Sequence, residues 1–374
     1  MMYAYQKPLE GRSVGVVFGS FAPLHQGHLD LIMRAKKEND GGALVIVCGY
    51  DGDKGEPLMP HKKRYRYVRE FFADDDLVAV YSINDSEIGI SQYPDGWDGW
   101  MRAFKNIFDL AVRRRDVTVR RWYVGDPNYA EDLKTRYQEH VILVDRKATN
   151  PICATMIRQN PIKHWDKIAA PFRRVFSHNI LITGTASEGK STLVQDLGKY
   201  FNAPCSHEWA RDYMAQSCVS DWELDGADFM AFIEGQYTLN RQLINSPGNH
   251  GVFFADTDPL VTKMYASKYA DDPDCAITKE EYERVAVMAD EYARKSRWDA
   301  IFILCPNGVF VDDHTRYMKH SGMDEREDLY NRLVDSIIQH YDNYAKERVF
   351  VLRGGCYYEN FKAIVDYVNG IMNR

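Results

Sequence analysis

The sequence has no apolar stretch near the ~20 residues needed to cross a bilayer. Its opening, Met1 to Glu10, lacks the apolar middle of a secretion signal. It has no Cys-x-x-Cys pair: the cysteines at 48, 153, 205, 218, 275, 305 and 356 are scattered and odd in number. That argues against a disulfide framework and a thiolate zinc site, and fits a reducing compartment. There is no basic excess either; the net charge of −7 speaks against a general affinity for nucleic-acid backbones. Internal repeats and low-complexity tracts are missing. Membrane, secreted and nucleic-acid-coating classes fall away, and by elimination the chain is expected in the cytoplasm. Basic residues do cluster locally. Arg113-Arg114-Arg115 reads as a solvated helix face, whereas the run from His61 to Arg66 is either that or a contact for a substrate phosphate.

What is present suits two domains. A length of 374 residues exceeds one ordinary domain, and 45% hydrophobic residues give each half enough to bury a core. In the first half, apolar runs at Ser13 to Phe18, Ala43 to Cys48, Val78 to Tyr81, Val117 to Val124 and Val141 to Val144 read as strands. A helix over His28 to Lys37 carries Leu29, Ile32 and Met33 on one face. Asn160-Pro161 and Ala170-Pro171 then punctuate the chain, and a second series begins. Asn179 to Thr183, Val252 to Ala255, Ala300 to Leu304 and Arg348 to Leu352 are its strands, and Lys190 to Tyr200 a helix. Tyr358 to Met372 closes it at helical spacing. The fold class expected is α/β, two doubly wound parallel sheets, with domains 1–170 and 171–374.

Directly after the first strand comes Gly19-Ser20-Phe21-Ala22-Pro23-Leu24-His25-Gln26-Gly27-His28. The carboxyl end of a first strand beside a helix start is where an open α/β sheet binds phosphate. Gly19 lets the backbone approach closely, and His25 and His28 can both donate to one anion. Either histidine alone reads as an exposed imidazole on an ordinary loop; the ten-residue pattern after a strand does not. Gly-x-Phe-x-Pro-x-His-x-Gly-His resembles the signature of the adenylyl- and cytidylyltransferase superfamily. That superfamily's partner motif, Ile-Ser-x-Thr-x-Ile-Arg, stands here as Ile152-Cys153-Ala154-Thr155-Met156-Ile157-Arg158, with Cys153 in place of serine.

The resemblance implies in-line attack on the α-phosphorus of ATP with release of pyrophosphate, by positioning and charge neutralisation and without a protein nucleophile. It implies that Gly19, Ser20, Phe21, His25, His28, Gly125, Thr155 and Arg158 hold ATP, with His25, His28 and Arg158 catalytic. Gly125 lies in Tyr123 to Ala130, which resembles an adenosine-side loop. In Tyr93 to Trp100, Trp97 and Trp100 flank glycine in what reads as a loop; their rings either stack on a planar heterocycle such as nicotinamide or pack into the core.

The second series opens with Gly184-Thr185-Ala186-Ser187-Glu188-Gly189-Lys190-Ser191, a Gly-x-x-x-x-Gly-Lys-Ser loop between a strand and a helix. Gly184, Ser187, Glu188, Gly189, Lys190, Ser191 and Thr192 are the expected ATP contacts, with Lys190 on the β and γ oxygens and Ser191 on Mg²⁺. Val252 to Ala255 ends in Asp256-Thr257-Asp258: Asp256 is placed near the metal, Asp258 near substrate. Glu208-Trp209-Ala210-Arg211 offers a carboxylate able to accept a hydroxyl proton. There Arg211 is a substrate contact, and Trp209 either covers a base or packs in the core. Pro306 to Asp328 reads as a mobile lid or a solvated loop; in it Arg316, or less strongly Arg326, neutralises the transferring phosphoryl group.

In this order the parts resemble the bifunctional nicotinamide-mononucleotide adenylyltransferase/ribosylnicotinamide kinase family, from about Val14 to the C-terminus. The resemblance implies ATP, nicotinamide riboside and nicotinamide mononucleotide as substrates, NAD as product, Mg²⁺ as cofactor, no nucleic-acid or membrane partner, and a possible homo-oligomer. About a dozen residues precede the first strand, too few for the N-terminal helix-turn-helix of some members, so a repressor role is not implied. The same residues leave open another phosphate acceptor, such as phosphopantetheine, with another nucleoside kinase, or a nucleotide sensor with an inactive kinase half. Cys153, and His314 where the lid pattern often has glycine, are the departures most able to lower an activity.

Overall fold

A computed structural model describes residues 7–49, 58–91, 93–112, 117, 119–145, 150–306, 322–353 and 356–372 of the chain, with side chains 342–346 left aside. It divides into two compact units, 1–176 and 177–374. The division falls past the expected 170 because Phe172, Val175 and Phe176 of the intervening helix pack in the first unit's core.

The first unit runs β1 (Ser13–Gly19), α1 (Gln26–Lys37), β2 (Ala43–Cys48), α2 (His61–Phe71), β3 (Val78–Ile83) and α3 (Trp97–Ala111). It continues with β4 (Val119–Val124), α4 (Pro127–Thr135), β5 (His140–Leu143), α5 (Ala154–Gln159) and α6 (Ala170–Phe176). Its five strands lie in the order β3-β2-β1-β4-β5, all parallel. A parallel sheet is covered on both faces, so its strands read as continuous apolar runs; β2, Ala-Leu-Val-Ile-Val-Cys, is buried along nearly its whole length. One face packs on α1, α2 and α6 through Val17, Val45, Ile32, Val68 and Phe172. The other packs on α3 through Val16, Ile46, Phe104, Phe108 and Trp122.

The second unit runs β6 (His178–Gly184), α7 (Lys190–Phe201), β7 (Cys205–Ser206), α8 (Trp209–Ser217), α9 (Gly226–Ile244), β8 (Val252–Ala255) and α10 (Pro259–Ala270). It ends with α11 (Lys279–Lys295), β9 (Ala300–Leu304), α12 (Met323–Ala345), β10 (Val349–Leu352) and α13 (Tyr357–Met372). The strand order is β10-β9-β6-β8-β7, again parallel. Beyond the two layers that cover the sheet, α9, α10 and α11 form a helical annex. Phe229, Phe232, Tyr269, Ile277, Val285 and Ala289 are its core. Side chains start these helices: Asp225 accepts from the N–H groups of Ala227 and Asp228, and Thr278 from that of Glu281, each within a capping box.

Phe104 is the keystone of the first unit's aromatic layer. Its ring stacks on Trp100 with centroids 5.8 Å apart and lies 4.5 Å from that of Trp122. Phe104→Ala leaves a cavity there and is expected to cost about 3–5 kcal/mol. Chemical denaturation followed by tryptophan fluorescence checks this; a loss under 1 kcal/mol would mean that the layer collapses onto the gap.

Candidate active sites

In the first unit β1 has β2 on one side and β4 on the other, so its end at Gly19 lies where the strand order reverses. The chain leaves it through Phe21, buried and left-handed at φ 47°, and enters α1 with His25 as N-cap. Nδ1 of His25 accepts the N–H of Gly27 at 3.2 Å, which in a neutral ring leaves the proton on Nε2. The His25 and His28 rings lie 3.9 Å apart at 34°.

The second motif reaches the first directly. Arg158 donates from Nη1 to the Ala22 carbonyl at 2.6 Å and from Nη2 to the Thr155 hydroxyl at 3.2 Å. Ile168 pairs with His25, and the Ala169 N–H donates to the Leu24 carbonyl at 3.0 Å. Gly125 follows β4, the strand beside β1, and precedes Asp126, which caps α4 by accepting the Asn128 N–H at 2.9 Å. The expected nucleotide residues of this half therefore share one lip of one sheet. Cys153 is exposed at the N-cap of α5 and makes no side-chain cap there.

The question left open at His61 to Arg66 resolves into structure. The run is α2, and its Arg64 is buried, donating to the carbonyls of Ser20, Cys48 (2.9 Å) and Met59 (2.9 Å). His61 meets the Val47 carbonyl at 3.1 Å. Arg64 thus holds Ser20 in place; a basic run gave no sign that one of its members points inward. Trp97 and Trp100 correct an expectation. They open helix α3 instead of sitting in a loop, with only 4% and 5% of their surfaces exposed. Both pack against Phe18, at 5.9 and 5.2 Å. Neither has a free face for stacking. The partly exposed rings beside them are Tyr93 and Tyr129, 4.8 Å apart.

In the second unit β6 is central, flanked by β8 and β9, and ends in Gly184 at φ 146°. A Cβ at Gly184 would lie 2.7 Å from the Leu304 carbonyl oxygen, so only glycine fits. The loop then passes through Ser187 and Gly189, left-handed at φ 64° and 77°, into α7. Lys190 Nζ donates to the Thr185 carbonyl at 2.7 Å. Ser191 is the second residue of α7, and Thr192 is exposed beside it. The side chain of Glu188 is buried, pairs with Arg326, and accepts from the Thr185 hydroxyl at 3.3 Å. Arg326, the weaker candidate for the transferring phosphoryl group, donates from Nη2 to Glu188 and to the Ala186 carbonyl. Arg316 and His314 lie outside the described residues.

Asp256 ends β8 and is buried against Ser191, whose hydroxyl donates to it. Burial raises its carboxyl to about 6, with Lys190 opposing the rise and Glu208 adding to it. Its Oδ1 is buried with no hydrogen-bond partner. An orphaned carboxylate oxygen beside a serine hydroxyl and a lysine suits an oxygen-seeking divalent cation held mainly by phosphates. Asp258 is not available for substrate. It is fully buried, its Oδ1 accepts the N–H groups of Leu260 (3.1 Å) and Val261 (3.3 Å), and its Oδ2 accepts Tyr341 OH (3.0 Å).

From the loop a cavity of about 130 Å³, open to solvent, runs into the annex. Lys190, Glu208 and Arg211 line its loop end, with Arg211 Nε donating to Glu208 Oε2 at 3.0 Å. Phe229, Phe232, Tyr265, Tyr269 and Asp221 line the rest. Sequence reasoning missed all five. The capping box at Asp225 marks the start of α9, but only tertiary packing turns its aromatic residues towards one space. Trp209 is not among the lining residues: its indole lies so close on α9 that a Cβ at Gly235 would be 2.0 Å from Nε1.

Cys153→Ser supplies the missing cap and is expected to stabilise the first unit by about 0.5–1 kcal/mol, read by denaturant titration. Asp256 gives a pH-dependent expectation. A carboxyl raised from 3.8 to about 6 favours the folded state fully below pH 4 and loses that stabilisation as pH rises through 6. Asp256→Asn should therefore raise the melting temperature at pH 8, by up to about 3 kcal/mol of stability, and leave it unchanged near pH 4. A melting difference that is independent of pH rules this out.

The comparisons agree with this layout. A cytidylyltransferase-like family matches residues 16–160 and an AAA domain family residues 179–354. The trifunctional NAD biosynthesis/regulator protein NadR of Escherichia coli (strain K12) is 29% identical over 345 residues, covering 88% of this chain and 77% of that protein. A crystal structure of a NadR protein in complex with NR matches with a TM-score of 0.83 at 32% identity, over 97% of both chains. A NadR protein in complex with NAD and AMP-PNP matches at 0.81 and 32%, over 98% of both. With two parallel-sheet units in this order and a 32% identical relative covered almost end to end, the chain belongs to the NadR family.

Proposed function

We infer that the chain makes NAD in two steps, one in each unit. The second unit phosphorylates nicotinamide riboside with ATP, giving nicotinamide mononucleotide. The first unit transfers the adenylyl group of a second ATP to that mononucleotide, giving NAD and pyrophosphate. The observation that supports this best is the cavity of the second unit: a phosphate loop at one end and four aromatic rings, suited to a flat heterocycle, at the other. The NadR proteins bound to NR, and to NAD with AMP-PNP, support the same substrates.

In the kinase step the acceptor's 5′-hydroxyl oxygen attacks the γ-phosphorus of ATP and ADP leaves. Glu208, at the loop end of the cavity, takes the hydroxyl proton. Lys190 leaves the Thr185 carbonyl for the β and γ oxygens, and Arg211 holds Glu208 in place. The backbone N–H groups from Ser187 to Ser191 cradle the phosphates. Ser191 and Asp256 would hold Mg²⁺, which when bound draws charge from the phosphate oxygens. In the adenylyl step a phosphate oxygen of the mononucleotide attacks the α-phosphorus, and pyrophosphate leaves. His25 and His28 neutralise the charge that develops there, with Arg158 and Thr155 on the departing phosphates. Gly19, Ser20, Phe21 and Gly125 shape the adenylate side.

The test supplies ATP and Mg²⁺ with either nicotinamide riboside or the mononucleotide, and separates ADP, pyrophosphate and NAD. Lys190→Ala is expected to cut riboside phosphorylation by at least about a hundredfold and spare adenylyl transfer; His28→Ala is expected to do the reverse. If one change abolishes both reactions in a folded chain, the division of labour is wrong.

A further inference from the structure

The phosphate loop of the second unit is held by side chains from outside it. The N–H of Ala186 donates to Tyr265 OH at 3.0 Å, and the carbonyl of Ala186 accepts from Arg326 Nη2 at 3.3 Å. The Glu188 carboxylate, two residues on, is clamped by the same guanidinium; the two side chains are 1% and 2% exposed. Thr185 is drawn in through Glu188, and Lys190 rests on the Thr185 carbonyl. Residues 185, 186 and 188 are therefore tied, directly or through Glu188, to two side chains, one from α10 and one from α12. Both of those side chains also line the acceptor cavity.

We propose that Tyr265 and the Glu188–Arg326 pair are positioning residues that couple acceptor binding to the shape of the ATP loop. The proposal rests on the reading of the cavity as the acceptor site. An acceptor packed against the Tyr265 ring restricts its rotation, and the ring's hydroxyl then fixes Ala186. The buried ion pair makes the response all-or-none at Glu188, because separating the charges leaves one of them unpaired in the interior. Coupling of this kind is reciprocal: what the acceptor does for ATP, ATP does for the acceptor.

Calorimetric titration of a non-hydrolysable ATP analogue, with and without saturating nicotinamide riboside, tests the proposal. For the unaltered protein the riboside is expected to tighten analogue binding by about 5- to 20-fold. Tyr265→Phe removes one oxygen and keeps the ring. It should bring that ratio, which is taken within the one variant, below about twofold. Because a single change in the ion pair strands a buried charge and threatens folding, its test is the neutral double variant Glu188→Gln with Arg326→Met. That variant should also lose the coupling, with its melting curve as the check on folding. Retention of the full ratio in both variants overturns the proposal, as does an unaltered protein that binds both ligands with no coupling. A protein that does not bind the riboside at all refutes the acceptor reading instead. The loop contact is then judged on the analogue alone: weaker binding to Tyr265→Phe supports it and unchanged binding overturns it.

Discussion

Each unit faces the same constraint. A loop that grips phosphate must present N–H groups and cations to a ligand, and the protein around it must supply enough fixed contacts to keep that open arrangement from collapsing. The first unit meets this with Arg64 and Arg158, whose guanidinium groups bind backbone carbonyls in and beside the loop. The second meets it with Arg326 and Tyr265. A guanidinium suits the task because its donors point in fixed, divergent directions and it stays charged when buried. None of these residues lies within the Gly19 to His28 or Gly184 to Ser191 patterns, yet the geometry of both patterns depends on them.

Buried acids in the second unit serve two opposite ends. Asp256 and Asp258 stand two apart after one strand, and burial raises both carboxyls to about 6. Asp258 is matched on both oxygens and stabilises the start of α10. Asp256 keeps one oxygen unmatched, a stability cost consistent with a group reserved for a ligand. Burial alone does not separate them; the inventory of partners does.

The architecture was legible because parallel strands buried on both faces leave unbroken apolar runs, as at Ala43 to Cys48 and Ala300 to Leu304. The loops were legible because phosphate chemistry needs fixed residue types at fixed spacing. What remained hidden depends on which way a side chain turns. Trp97 and Trp100, read as a loop beside glycine and proline, are buried in the first turn of a helix. Glu188, inside a nucleotide loop, turns inward to Arg326. Phe229, Phe232, Tyr265 and Tyr269 come from two helices far apart in sequence and meet only after folding. The boundary near 170 missed Phe172 to Phe176 for the same reason: Ala170-Pro171 opens a helix that belongs to the preceding core.

Arg64 has a consequence for how the first unit can vary. Three carbonyls, from Ser20, Cys48 and Met59, converge on one side chain. A lysine there could bring its single nitrogen to one or two of them and would leave the rest dry and unsatisfied. Position 64 is thus a single joint at which two strand ends and the approach to a helix are pinned together. Drift at the surrounding basic residues changes little, whereas any exchange at this one loosens three parts of the binding lip at once.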